Sequence, residues 1–192
     1  MEKVHKIIIG ITGASGVNIA VKLLRVLKRQ KNIETHLIMT KSAKLTISLE
    51  TSYKVKEVQD LADFNYDNQN MAASVASGSY DVDGIIVIPC SMKTLAGIRS
   101  GYSDNLLLRT VDVNIKEQKK VILGVRETPL SSIHLDNMAY LSHINNVMIY
   151  PLMMTHYSNP TSIEDMEIAL IGKILKRFNI DIQEYQPWKG QQ

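Results

Sequence analysis

Two signatures alternate along this chain. Short unbroken runs of β-branched and aliphatic residues read as strands buried on both faces, and longer segments with apolar residues three and four apart read as the helices that cover them. Lys6–Ile11 is the first such run, followed by Thr12-Gly13-Ala14-Ser15-Gly16 and then Val17, Ile19, Ala20, Leu23, Leu24 and Leu27 at helical spacing. His36–Met39 predicts a second strand ending at Thr40, and Ala43, Leu45, Ile47 and Leu49 predict a helix with Glu50 near its end. Between Val55 and Ala73 the pattern thins to Leu61, Ala62, Phe64 and Met71, and the expectation is short helices joined by polar loops. Ile85–Ile88 is the third strand, ended by Pro89, which has no N–H to give to a ladder. Leu95, Ala96 and Ile98 open a helix behind Cys90-Ser91-Met92-Lys93-Thr94, and Tyr102–Lys116 is a further helix with Leu106, Leu107, Val111 and Ile115 inward. Val121–Val125 and Val147–Ile149 complete five strands, with Leu130–His143 helical between them. Thr161 or Ser162 caps a last helix that turns Ile163, Met166, Ile171, Ile174, Leu175 and Phe178 inward.

Five strands alternating with helices predict an α/β fold with a doubly wound parallel sheet, a Rossmann-like or flavodoxin-like three-layer domain. Such sheets bind ligands outside the carboxyl ends of their strands, at a switch point. Four polar turns fall at strand ends of that kind: Gly13–Ser15, Thr40, Ser91–Thr94 and Arg126-Glu127. Ser91 is a natural N-cap, and the helix start behind it favours a phosphate, to which Ser91 and Thr94 add hydroxyls and Lys93 a cation. Gly10, Gly13 and Gly16 recur every third residue, which is not the dinucleotide fingerprint GxGxxG. Each turn by itself also reads as an ordinary strand–helix junction. Their convergence on one edge favours a ligand.

Composition narrows the classes. A chain of 192 residues with 45% hydrophobic content suits one soluble globular domain. No apolar run reaches the ~18 residues of a membrane span, and Met-Glu-Lys-Val-His leads straight into a strand, so neither a span nor a signal peptide is expected. A single cysteine excludes an intramolecular disulfide and a multi-thiolate zinc site, and fits a cytoplasmic location. The 22 basic and 19 acidic residues are scattered, without the long basic run of a nucleic-acid partner. Lys116, Lys119 and Lys120 read as a solvated helix end, and the five histidines show no paired, metal-binding spacing.

The segments GITGASG, SLET, ASGS, PCSMKTLAGI, NLLLRTVDV, IKE and VRETPL, in this order, resemble the UbiX family of flavin prenyltransferases. The resemblance runs from Ile7 to Trp188. Ser131-Ser132-Ile133-His134-Leu135 and Trp188-Lys189-Gly190 make it most similar to members encoded beside aromatic-acid decarboxylases. It implies a metal-independent transfer of the dimethylallyl group of dimethylallyl monophosphate to reduced FMN, giving prenylated FMN for a UbiD-type decarboxylase. It further implies that Gly13, Ala14, Ser15, Thr40, Ser91, Met92, Lys93, Thr94 and Arg126 hold FMN, with Ser15, Glu50, Lys116 and Glu127 at the reacting centre. Tyr157 and Lys173 match the pair that holds the allyl phosphate, and Trp188 a C-terminal aromatic that closes over the flavin site. A flavin-binding domain of residues 1–180, a tail of 181–192 that contributes to the active site, and a homo-oligomer, a dodecamer in the family, are part of the same expectation.

Without the resemblance, Glu50 reads as a solvated helix-end carboxylate, Glu127 as a partner for Arg126, Cys90 as a small core residue and Trp188 as a packed tail residue. The chain also departs from the family. Its Tyr150–Pro160 segment has lost prolines and is one residue longer, Lys173 replaces the commoner arginine, and Thr40 replaces serine. Two alternatives stand beside the enzyme: a catalytically silent flavin carrier or decarboxylase partner, and a flavoprotein that decarboxylates cysteine. The second is disfavoured because no histidine lies between His36 and His134.

Overall fold

Ile7, Ile8, Ile9 and Ile11 are fully buried in the first strand, β1 (His5–Ile11), so both of its faces must be covered. In the computed structural model, which describes residues 4–157, 159–188 and 190, the chain divides into two compact units, Met1–Pro151 and Leu152–Gln192. Ser158 of the lengthened loop and Lys189 of the tail motif lie outside the described residues. After β1 come α1 (Val17–Lys28), β2 (Ile33–Met39), α2 (Lys41–Glu50), α3 (Val55–Gln59) and β3 (Phe64–Asp67), then a 3₁₀ turn at Ser74–Ala76. β4 (Gly84–Cys90), α4 (Met92–Arg99), α5 (Leu106–Lys116), β5 (Lys120–Val125), α6 (Ser132–Ser142) and β6 (Val147–Ile149) complete the first unit. The second holds α7 (Ile163–Leu175) and a 3₁₀ turn at Lys176–Phe178.

All pairings are parallel, in the order β3-β2-β1-β4-β5-β6. This is the doubly wound arrangement, and the winding reverses between β1 and β4. Right-handed crossovers put α1, α2 and α3 on one face and α4, α5 and α6 on the other. On the α5 face, Ile8, Ile38, Ile85, Val87, Val121 and Leu123 pack with Leu95, Leu106, Leu107 and Val111.

The sheet has six strands, not the expected five. β3 lies where short helices and loops were expected, and its four residues are exposed apart from half-buried Tyr66. A tertiary contact makes it a strand. His36, fully buried on β2, stacks on Phe64 (5.0 Å, 9°) and on Tyr66 (5.8 Å, 24°), and Tyr80 meets it edge-on at 5.5 Å. The Glu34 carboxylate accepts from Nε2 of His36 at 2.9 Å, which leaves Nδ1 to accept the Tyr66 hydroxyl at 3.0 Å. Burial pushes the His36 pKa down, so the ring is held neutral in this tautomer.

Two helix boundaries also have physical causes. α5 begins at Leu106 rather than Tyr102 because its first donors find partners there. Asn105 Oδ1 accepts from Leu108 N–H, and the main-chain and side-chain oxygens of Asn68 accept from Leu106 and Leu107. In the second unit Ser162 caps α7 in a reciprocal box with Asp165. Ile171, Ile174, Leu175 and Phe178 are buried as expected, whereas Ile163, in the first turn, is 71% exposed.

Candidate active site

The four turns read from the sequence stand at the carboxyl ends of β1, β2, β4 and β5, which are neighbours in the sheet. The two central ones are tied together by Thr12, a residue not singled out from the sequence. Its Oγ1 donates to Pro89 O at 2.7 Å and accepts from Ser91 N–H at 2.8 Å, and its own N–H donates to Pro89 O at 3.3 Å. A β-branched hydroxyl residue directly behind an apolar run, 1% exposed, was the available signal. Gly13 then passes so close to α2 that a Cβ would collide with the side chain of Ser42 and come within 3.2 Å of its carbonyl carbon. The site needs glycine there for this close approach.

Two of the four turns are caps as well as candidate ligands. Thr40 Oγ1 accepts from Ala43 N–H at 3.1 Å and opens α2. Ser91 Oγ accepts from Thr94 N–H at 3.3 Å and donates to Thr94 Oγ1 at 3.1 Å, opening α4. The first turn of α4 leaves the N–H groups of Met92 and Lys93 without intrahelical acceptors, and Lys93 is exposed beside them. Donors, hydroxyls and a cation at a helix start suit a phosphate monoester, so the residues present fit FMN. Gly13 is exposed and Ser15 half-exposed, while Ala14 and Met92 are nearly buried.

Glu50 joins this edge by tertiary structure. It ends α2, and its Oε2 accepts from the N–H of Gly16 at 2.9 Å, at the start of α1. A carboxylate suits that end of a helix. Arg126 and Glu127 are exposed just past β5, with Arg126 N–H donating to Cys90 O at 3.4 Å and Glu127 Oε1 accepting from Thr128 N–H at 2.9 Å. Burial pushes the Cys90 thiol up to about 12, so it stays protonated and is no nucleophile.

The structure does not bring Lys116 to these groups within one chain. It closes α5, just ahead of β5, pairs with Glu117 and faces Gly78, near the amino-terminal ends of β4 and β5. The seven residues of β4, about 20 Å of strand, separate it from Ser91. In the second unit, Tyr157 and Trp188 come together with ring centroids 6.2 Å apart, at 76% and 69% exposure. Lys173 is exposed in the last turn of α7. Among the described residues, no group of three or more His, Cys, Asp or Glu side chains is placed to hold a metal ion.

A doubly wound sheet with a phosphate-suited edge at its switch point defines a nucleotide-binding α/β protein, and the chain matches the family described as Flavoprotein over residues 1–176. It is 48% identical to a probable UbiX-like flavin prenyltransferase of Sedimentibacter hydroxybenzoicus, over 96% of this chain and 97% of that one. The crystal structure of AnUbiX (PadA1) in complex with FMN and dimethylallyl pyrophosphate superposes with a TM-score of 0.94 at 43% identity, covering 98% of this chain and 99% of that one. A dodecameric FMN-dependent UbiX-like decarboxylase from Escherichia coli O157:H7 gives 0.94 at 46% identity, over 96% and 100%. The chain belongs to the UbiX-like flavin prenyltransferases. A silent carrier is the less favoured reading of such a chain.

Proposed function

We propose that this chain joins the dimethylallyl group of dimethylallyl monophosphate to N5 and C6 of reduced FMN, releasing phosphate, and so makes prenylated FMN for a UbiD-type decarboxylase. The observation that carries the reading is Glu50, a carboxylate held by Gly16 N–H on the same edge as the hydroxyl-bearing turns. Gly13, Ala14, Ser15, Thr40, Ser91, Met92, Lys93, Thr94 and Arg126 hold the flavin nucleotide. Glu50 and Glu127, with Ser15, move protons as the two bonds form.

Ionising an allylic phosphate leaves a delocalised cation and a strongly anionic leaving group. Lys173 and the Tyr157 hydroxyl take the phosphate and Lys116 stands at the reacting centre, so the protein itself supplies the positive charge. Trp188 offers an aromatic face to the allyl cation, and the tail from Asp181 contributes to the site through it. Lys116 reaches this centre from a second copy of the chain, in a homo-oligomer like the dodecameric relative. Its position at the far edge of its own sheet supports that, as do Leu45 and Leu49, exposed at 62% and 75% on the helix that carries Glu50. None of the described helices is long and apolar enough to cross a membrane. We place the enzyme in the cytoplasm, which suits its lone buried thiol.

The test is to incubate the protein with reduced FMN and dimethylallyl monophosphate and to weigh the released flavin. The expected product is FMN heavier by one five-carbon prenyl group. Bound FMN of unchanged mass would turn the reading to a carrier.

A further inference from the structure

Glycine weakens a helix interior, so Gly172, fully enclosed near the end of α7, needs a reason. The reason is Tyr185. A Cβ on Gly172 would run into Cβ and Cγ of Tyr185 and lie 2.6 Å from its Cδ2, so the base of the Tyr185 side chain packs directly on the one position of α7 that has no side chain. The tail is tied down on the way to this contact. Asn179 turns the chain in the left-handed conformation, and Ile180 N–H donates to Leu175 O at 3.1 Å. Ile180 and Ile182 are each 6% exposed, and Asp181 pairs with Lys176. Tyr185 N–H then donates to Ile182 O at 3.3 Å. The tail therefore doubles back along α7, and three residues past Tyr185 it delivers Trp188 to Tyr157.

We propose that Tyr185, seated on Gly172, is a positioning residue: it anchors the C-terminal tail so that Trp188 and Tyr157 are presented together, beside the helix that carries Lys173. This deepens the reading above, on which its kinetic half rests; the anchor itself does not depend on that reading. Trp188 and Tyr157 are largely exposed and form a tilted aromatic pair with centroids 6.2 Å apart. So exposed a pair is little confined by surrounding side chains, and the tail that carries Trp188 sets where it forms. Tyr185 acts on that geometry through the backbone of residues 186 to 188.

Trp188 is the only tryptophan in the chain, so its fluorescence reports the tail directly. Since it is already 69% exposed, the useful signal is anisotropy rather than emission wavelength. In the full-length protein, Tyr185→Ala should lower the anisotropy of Trp188. It should also raise the KM for dimethylallyl monophosphate, or lower kcat, by roughly tenfold to a hundredfold, the usual cost of a misplaced contact, with FMN affinity unchanged. Tyr185→Phe should restore both. Gly172→Ala should reproduce the loss when Tyr185 is present and add little on top of Tyr185→Gly, which removes both the Cβ and the ring that the new methyl would meet. Retained FMN binding shows that each variant folds. Unchanged anisotropy in Tyr185→Ala overturns the anchor. Lowered anisotropy with unchanged kinetics overturns the positioning role. If the wild-type protein makes no prenylated flavin, the functional reading falls, while the anisotropy of the same variants still decides the anchor.

Discussion

In the first unit the polar groups of the site are held by hydrogen bonds between segments far apart in sequence, as between Thr12 and Ser91, 79 residues along the chain. In the second unit Tyr157, Lys173 and Trp188 stand in solvent, Lys173 on α7 and Trp188 on a tail whose Tyr185 lies against that helix. The difference suits their proposed tasks. A nucleotide is held by main-chain donors and caps, which are rigid by construction. An allyl phosphate that must enter, ionise and leave as phosphate is met by side chains that stay open to solvent.

That contrast can be broken where chemistry, rather than binding, is removed. Glu50→Gln should lower prenylated-flavin formation by about 10²–10⁴-fold, the range for loss of an acid–base group. The amide oxygen can still accept from Gly16 N–H, so FMN binding and α1 should survive. Product analysis by mass alongside FMN titration measures both, and unimpaired product would return Glu50 to a purely capping role. Next in size is Lys173→Ala, expected to weaken dimethylallyl monophosphate by roughly tenfold to a hundredfold while leaving FMN affinity alone. Lys173→Arg should keep most activity, and kinetics at saturating reduced FMN decide between them. The smallest effect belongs to Thr12→Val, which keeps the shape but deletes one donor to Pro89 O and the acceptor for Ser91 N–H. We expect a loss of ~1–3 kcal/mol in stability and about tenfold in FMN affinity, with the allyl phosphate KM unmoved at saturating FMN. A Thr12 variant that altered only the allyl step, or a Lys173 variant that altered only FMN binding, would erase the division between the two regions.

Residue order alone determined the buried strands β1, β2, β4, β5 and β6 and the turns that follow four of them. A β-branched run bounded by glycine, proline or a capping residue is a local signal that needs no partner to be read. It also marked Thr161 or Ser162 as a cap, of which the structure takes Ser162, and Ser91 as the start of α4, because caps are satisfied within three or four residues. Tertiary structure alone decided what depends on distant partners. β3 exists because His36 stacks on it, and its own four residues carry no apolar run. Thr12 locks the switch point only because β1 and β4 are neighbours, although nothing nearby in the chain requires it. Glu50, by its own spacing a solvated helix end, becomes part of the strand-end edge through one hydrogen bond to Gly16. Lys116, grouped with the reacting centre by its motif, lies at the far end of the same sheet, since α5 must carry the chain back to where β5 begins. Motifs name the residues a site needs, and the crossover connections decide which of them one chain can bring together.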